Sequence, residues 1–206
     1  MFRYGPKKVR EEKITLDKSL DSDSHKPGRR SKKILRNFFI GVVSVFLCFL
    51  IIRTFWVQPF KIVGNAMAPY LLTGDRILAD KAVYRGRSPE RGDIVVYEFP
   101  GDKRRFFIHR IAGLPNETVE IKNGSILIDD NPLVDPKVFT ESSYGNQGDF
   151  ALEGQAVRVP QDHYFVFGDN SINSRDGRFF GFVPKKNIKG RVFQIWYPAN
   201  RRGRVE

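Results

Sequence analysis

A single cysteine, Cys48, stands in 206 residues. That scarcity excludes a disulfide framework and a cysteine-rich zinc module. Histidine is scarce too: His25, His109 and His163 are the whole supply, with no HExxH-like spacing, so no zinc-protease site and no resident metal are expected. Nothing in the pattern asks for a cofactor. Internal repeats are lacking, and no segment after residue 60 sustains a 3.6-residue apolar period. What the chain has in quantity is positive charge, 35 Lys+Arg against 23 Asp+Glu, and phenylalanine, 18 residues. At 41% hydrophobic residues it is not disordered as a whole, and its length suits one globular domain with an addition.

The net +12 is concentrated at one end. Residues 1–37 carry twelve Lys/Arg and five acids, whereas residues 58–206 carry 22 basic and 18 acidic side chains. Residues 1–36 lack apolar periodicity and read as a basic, disordered tail rather than a nucleic-acid arm, so no nucleic-acid partner is expected. Residues 37–52 then run without a charge. As a helix they would be about 24 Å long, and extending them to 34–57 with Arg36 and Arg53 snorkelling reaches a hydrocarbon core of roughly 30 Å. Trp56 falls where interfacial aromatics sit. A buried soluble helix would leave the basic flank unexplained. A cleaved secretory signal would need Gly64-Asn65-Ala66 as its processing site, but Arg53, Trp56 and Pro59 intervene. The reading is an uncleaved anchor over 37–57 in the cytoplasmic (inner) membrane. Residues 1–36 are then cytoplasmic and 58–206 extracytoplasmic, with the lipid bilayer as a partner.

Beyond Gln58 the fold class reads as mainly β, antiparallel. Strands are expected over 75–81, 93–99, 105–114, 157–159, 164–167 and 191–197. Residues 118–122 and 125–129 flank Asn123-Gly124, a pair suited to a type I′ turn with two positive φ angles. Residues 130–155, rich in Gly, Ser, Asn and Pro, read as a loop excursion or small insertion.

Three blocks in this region together resemble bacterial type I signal peptidases, the membrane-anchored serine proteases that remove leader peptides from exported precursors. The first, 53–75, contains Gly64-Asn65-Ala66-Met67-Ala68-Pro69 and is similar to the family's nucleophile box. The second, 106–115, contains Ile108-His109-Arg110 and is similar to the box that supplies the general base. The third, 164–184, contains Gly168-Asp169-Asn170 and Asn173-Ser174-Arg175-Asp176-Gly177-Arg178. The resemblance spans roughly 34–198 and implies a signal-peptidase-like β domain after one transmembrane helix. It also implies, as ligand, the signal peptide or another extended peptide of exported precursors. In the family a serine hydroxyl attacks the carbonyl after a small residue, and a lysine kept neutral by burial takes the proton.

The reacting centre departs from that pattern. The residue before Met67, where the resemblance implies the nucleophile, is Ala66. Gly64 stands where the family commonly has a second serine that holds the oxyanion, and His109 replaces the lysine. Met67 and Pro69 belong to the implied binding segment. The resemblance further implies that Arg110 pairs with Asp169, Asp176 with Arg178, and that Ser174 touches the base. His109 has two readings: a general base oriented by Asp169 or Asp176, or a strand histidine filling the lysine's pocket with a hydrogen bond. Phe55, Trp56, Phe60, Phe179, Phe180, Trp196 and Tyr197 line either the membrane-facing surface or the core, with Trp56 and Phe60 favoured for lipid. Three functions follow: a signal peptidase I relative with little or no activity, a precursor-binding or assembly chaperone, or an active enzyme using Ser171 or Ser174 with His109 as base.

Overall fold

The computed structural model describes residues 29–145 and 147–205, so residues 1–28 of the basic tail lie outside the described residues. Two compact units emerge, one ending at Phe46 and the other starting at Leu47. Helix α1 (Arg29–Phe55) starts inside the basic segment rather than at residue 37. Arginine and lysine are good helix formers, so basic residues prolong the helix although they carry no apolar period. Its stretch Lys32–Ile51 is long and apolar enough to cross a membrane; 20 residues at 1.5 Å each give about 30 Å. Phe38, Phe39, Phe46, Leu47 and Cys48 are exposed along it.

Past the helix the chain is mainly antiparallel β. Strands β1 (Val57–Lys61), β2 (Arg76–Asp80), β3 (Ile94–Phe99) and β4 (Asp102–Gly113) lead into the small hairpin β5 (Thr118–Lys122) and β6 (Ser125–Ile128). Short strands β7 (Asn131–Pro132) and β8 (Val157–Arg158) complete a four-stranded sheet in the order β7-β6-β5-β8. Strands β9 (His163–Phe167), β10 (Val183–Pro184), β11 (Ile188–Tyr197) and β12 (Gly203–Arg204) join the first four in an eight-stranded sheet. Its order is β1-β2-β11-β3-β4-β9-β10, with β12 beside β11. Helical elements after residue 60 are single turns such as α2 (Val83–Gly86), α3 (Val138–Glu141) and α4 (Gly177–Phe180).

Local sequence accounts for these elements. Alternating burial along β2 and β5 reflects one packed and one wet face, whereas Ile94–Tyr97 of β3 is buried throughout. Asn123 (φ 50°) and Gly124 (φ 75°) close the β5–β6 hairpin in the left-handed region that this pair favours. Pro59 sits in β1, an edge strand, where a missing N–H breaks no ladder. The 130–155 excursion is tied to the core of the small sheet: Val138, Phe139, Tyr144 and Ala151 are buried with Val119, Ile121 and Phe165. Composition alone reads it as a loop excursion or small insertion because its apolar anchors are too sparse to show a period.

Two features of the large sheet create the site. Strand β4 pairs with β3 from Asp102 to Arg110 but with β9 only from Arg110 onward. Its first half therefore has no strand partner on the side away from β3 among the described residues. The sheet also curls, bringing Phe60 of β1 and Phe106 of β4 to 5.6 Å between ring centroids although these strands are not neighbours in the order. Of the candidate membrane aromatics, Trp56, Trp196 and Tyr197 are exposed. Phe180 packs instead against Tyr97, Phe99 and Phe107, and the Phe55 side chain lies outside the described ones.

Candidate functional site

Between the segment leaving β1 and the unpaired half of β4 lies a groove of about 540 Å³. Gly64, Asn65, Ala66 and Met67 line one side, Phe106, Phe107, Ile108 and His109 the other, and Asn173 and Arg175 close it. The loop carrying Ala66 is held at its base by Ile62 N donating to Asp75 O (2.8 Å) and Gly74 N donating to Ile62 O (3.0 Å). Thr73 Oγ1 donates to Gly64 O at 2.7 Å, so the turn at Gly64 (φ 92°) is fixed from across the loop. Met67 is buried and anchors the turn in the core, while Pro69 is exposed. Ala66 thus sits on a rigid ledge with its carbonyl accepting from Asn170 N at 2.9 Å.

His109 is 3% exposed. Its Nδ1 lies 2.6 Å from the Tyr97 hydroxyl and its Nε2 3.3 Å from Ser174 Oγ. Burial pushes its pKa down to about 4, with Arg178 adding to the fall and Asp176 opposing it. Tyr97 is pushed up by burial and stays a phenol. The ring is therefore neutral near pH 7 and sits in a Tyr97–His109–Ser174 chain, one nitrogen donating and the other accepting. Gly168 is the hinge of this arrangement. A Cβ there would collide with both Ala66 O and Ser174 Oγ, so glycine is what lets the first and third blocks close on each other.

Two buried ion pairs surround the site. Arg110 binds Asp169 in fork geometry, Nε to Oδ1 and Nη2 to Oδ2, both 2.9 Å, and its Nη1 donates to Gly92 O at 3.0 Å. Burial pushes the Asp169 carboxyl up, and Arg110 pulls it back only in part. Arg178 binds Asp176 through Nε (2.9 Å) and Nη2 (3.0 Å), and its remaining donors reach Ser171 Oγ, Ser171 O and Gly145 O. Asp176 Oδ2 also accepts from Gly168 N at 2.9 Å. Neither carboxylate bonds the His109 ring, because each is saturated by an arginine; the ring's orienting partner is Tyr97. Among the described residues no three His, Cys, Asp or Glu side chains gather as a metal-holding group.

A family model for signal peptidase, peptidase S26, matches residues 35–197. The chain belongs to the signal peptidase S26 family. A probable signal peptidase I-1 of Synechocystis is 35% identical over 179 residues, covering 84% of this chain and 87% of that protein. Signal peptidase I U of Bacillus subtilis is 34% identical, covering 82% and 91%. A crystal structure of a signal peptidase I from Enterococcus faecalis V583 is 31% identical with a TM-score of 0.41, covering 51% of this chain and 97% of that one.

Within this signal peptidase scaffold the residues that sequence reading missed are Tyr97 and the cationic lining of the groove. Tyr97 follows Val95 on one face of β3, and Val95 lies opposite His109, so the phenol is the diagonal neighbour of the ring. Knowing that β3 and β4 form one hairpin would have exposed it.

The neutral buried ring makes a prediction about pH. An unfolded histidine titrates near 6.5 and His109 near 4, so the unfolded chain binds the extra proton between those values. Stability linked to the ring is full above pH 6.5 and falls as pH drops toward 4, by roughly 3 kcal/mol in all. Denaturant unfolding of the full chain in detergent should show a loss of that size, much reduced in His109→Gln. Equal slopes in both proteins would mean that the ring is not held neutral.

Proposed function

We propose that this chain is a signal peptidase I-type membrane protein that engages the signal peptide of exported precursors without cutting it. Family membership supports the precursor as ligand. The observation that carries the loss of cleavage is that Ala66 and His109 face one groove while position 66 offers only a methyl group. In the roles taken over from the family, Ala66 occupies the nucleophile position, His109 the base position and Gly64 the oxyanion position. Met67 and Pro69 belong to the binding segment, and Ser174, Arg110, Asp169, Asp176 and Arg178 hold the site's shape. No electron pair is available at 66 to attack a carbonyl, and removing such a nucleophile costs on the order of 10⁶ in kcat. The unpaired half of β4 supports binding: an extended peptide laid along it gains backbone hydrogen bonds by strand addition. In the same reading residues 1–36 form the cytoplasmic tail, 37–57 the single-pass anchor in the cytoplasmic membrane, and 58–206 the extracytoplasmic domain.

A second reading has one observation in its favour. Ser174 Oγ is within 3.3 Å of His109 Nε2, the spacing of a nucleophile and its base. Against it, Ser174 is only 5% exposed and is absent from the groove lining, so a substrate carbonyl cannot reach it. Ser171 Oγ is taken up by Arg178 and by Gly145 N. The test uses the full chain in phosphatidylcholine nanodiscs with a precursor bearing an Ala-x-Ala site and a photo-crosslinker beside it. Crosslinking to the groove with no cleavage above the protein-free background is expected. Cleavage by the unmodified chain, abolished in Ser174→Ala, would replace the proposal by the second reading.

A further inference from the structure

The groove is charged in one sense only. Of its fourteen lining residues three are cations, Lys61, Arg105 and Arg175, and none is an acid. Lys61 and Arg175 are exposed and have no carboxylate partner among the described residues. Arg105 is 72% exposed and shares Asp102 with Arg104, a contact of 3.5 Å. The cations bracket the groove: Lys61 and Arg105 adjoin the Phe60–Phe106 contact at one end, and Arg175 follows Ser174 beside His109 at the other. Some arginines elsewhere on the domain are matched, Arg87 and Arg191 by Asp93 and Arg201 by Asp75.

We propose that the groove selects extended peptides carrying acidic side chains on either side of the segment held between Ala66 and His109. The inference rests on the reading of the groove as a peptide site and adds the charge of its occupant. Both halves of the surface are needed. The open edge of β4 presents backbone donors and acceptors that another extended chain satisfies, and the cations at the two ends reward carboxylates on that chain. An anionic lipid would meet the cations but leave the strand edge unpaired, so a peptide fits more of what the groove offers.

Exposed charge contacts are individually weak, and three of them together amount to about a tenfold preference that salt erodes. The test uses the full chain in phosphatidylcholine nanodiscs and three fluorescent peptides with one Ala-x-Ala centre, flanked by Glu, Gln or Lys. Binding is expected in the order Glu, Gln, Lys, spanning about tenfold at low ionic strength and converging at about 1 M salt. The order should reverse in Lys61→Glu/Arg175→Glu. Glu binding no better than Gln, or an order unchanged by that double variant, would overturn the charge preference while leaving a peptide groove in place. No binding of any of the three would overturn the groove's reading as a peptide site. Loss of the Glu preference on adding phosphatidylglycerol at constant ionic strength would assign the cations to lipid and sink the proposal.

Discussion

Placing a hydroxyl at position 66 is expected, on the proposed reading of that position as the nucleophile's, to yield a slow protease. Ala66→Ser places Oγ on the ledge held by Met67, Thr73 and Asn170, at the wall of the groove that His109 also lines. Two opposing effects set the rate. The ring is already neutral at pH 7, which a base requires, but a conjugate acid near pKa 4 gives little driving force for proton removal. For Nε2 to accept, the ring proton must sit on Nδ1, facing the Tyr97 oxygen, and the 2.6 Å contact tolerates that tautomer. Ala66→Ser alone should therefore cleave an Ala-x-Ala precursor measurably but slowly. Ala66→Ser/His109→Lys should be faster, by at most the roughly 10²–10⁴ that general-base catalysis contributes in all. The burial that depresses His109 would also push a lysine toward neutrality, yet from a higher starting value. The profiles should differ in shape: the single variant flat above about pH 5, the double variant rising toward alkaline pH. Cleavage by the unmodified chain at the rate of either variant would overturn the assignment of position 66. If neither variant cuts, although both melt like the parent and bind the precursor, the groove is a peptide site whose reacting geometry differs from the family's.

Much of the domain could be read from local sequence because its strands alternate and its turns use residues with few conformational options. Asn123-Gly124 is the clearest case, a dipeptide whose positive φ angles dictate the hairpin around it. The approach of Ala66, His109 and Ser174 is implied by motif resemblance rather than by periodicity, since distant segments meet there, Ala66 and Ser174 across the glycine at 168 and Ser174 with the His109 ring. Three things stayed hidden for physical reasons. Helix α1 begins at Arg29 because basic residues extend a helix without adding an apolar stripe. Tyr97 touches His109 across a strand pair, and alternation gives the face of a strand but not its neighbour. Lys61, Arg105 and Arg175 lie on three separate segments, so their shared sign becomes visible only when the sheet curls.

Asp176→Ala is expected to be the most destabilising single change in the domain outside its apolar core. Asp176 and Arg178 are each fully buried, and the carboxylate accepts from the arginine at 2.9 and 3.0 Å and from Gly168 N at 2.9 Å. Deleting it strands a guanidinium in low dielectric and leaves the Gly168 N–H without an acceptor. Removing one partner of such a pair costs about 3–5 kcal/mol, and in a chain of this size that lowers the melting temperature by about 10 °C. The pair itself need not be strongly stabilising, since desolvation offsets much of its attraction. Asp176→Leu/Arg178→Met should therefore recover part of the loss, limited by the Ser171 and Gly145 carbonyls that Arg178 now satisfies. Thermal unfolding of the three full-length proteins in the same nanodiscs measures both effects. A melting temperature for Asp176→Ala within a degree or two of the parent would mean that the pair is hydrated rather than buried. The same variant also reports on the groove, because Gly168 N anchors the strand end that keeps Ala66 O and Ser174 together. Peptide affinity should fall in Asp176→Ala well below its melting temperature. A variant that melts early but binds normally would separate the scaffold's stability from the shape of the site.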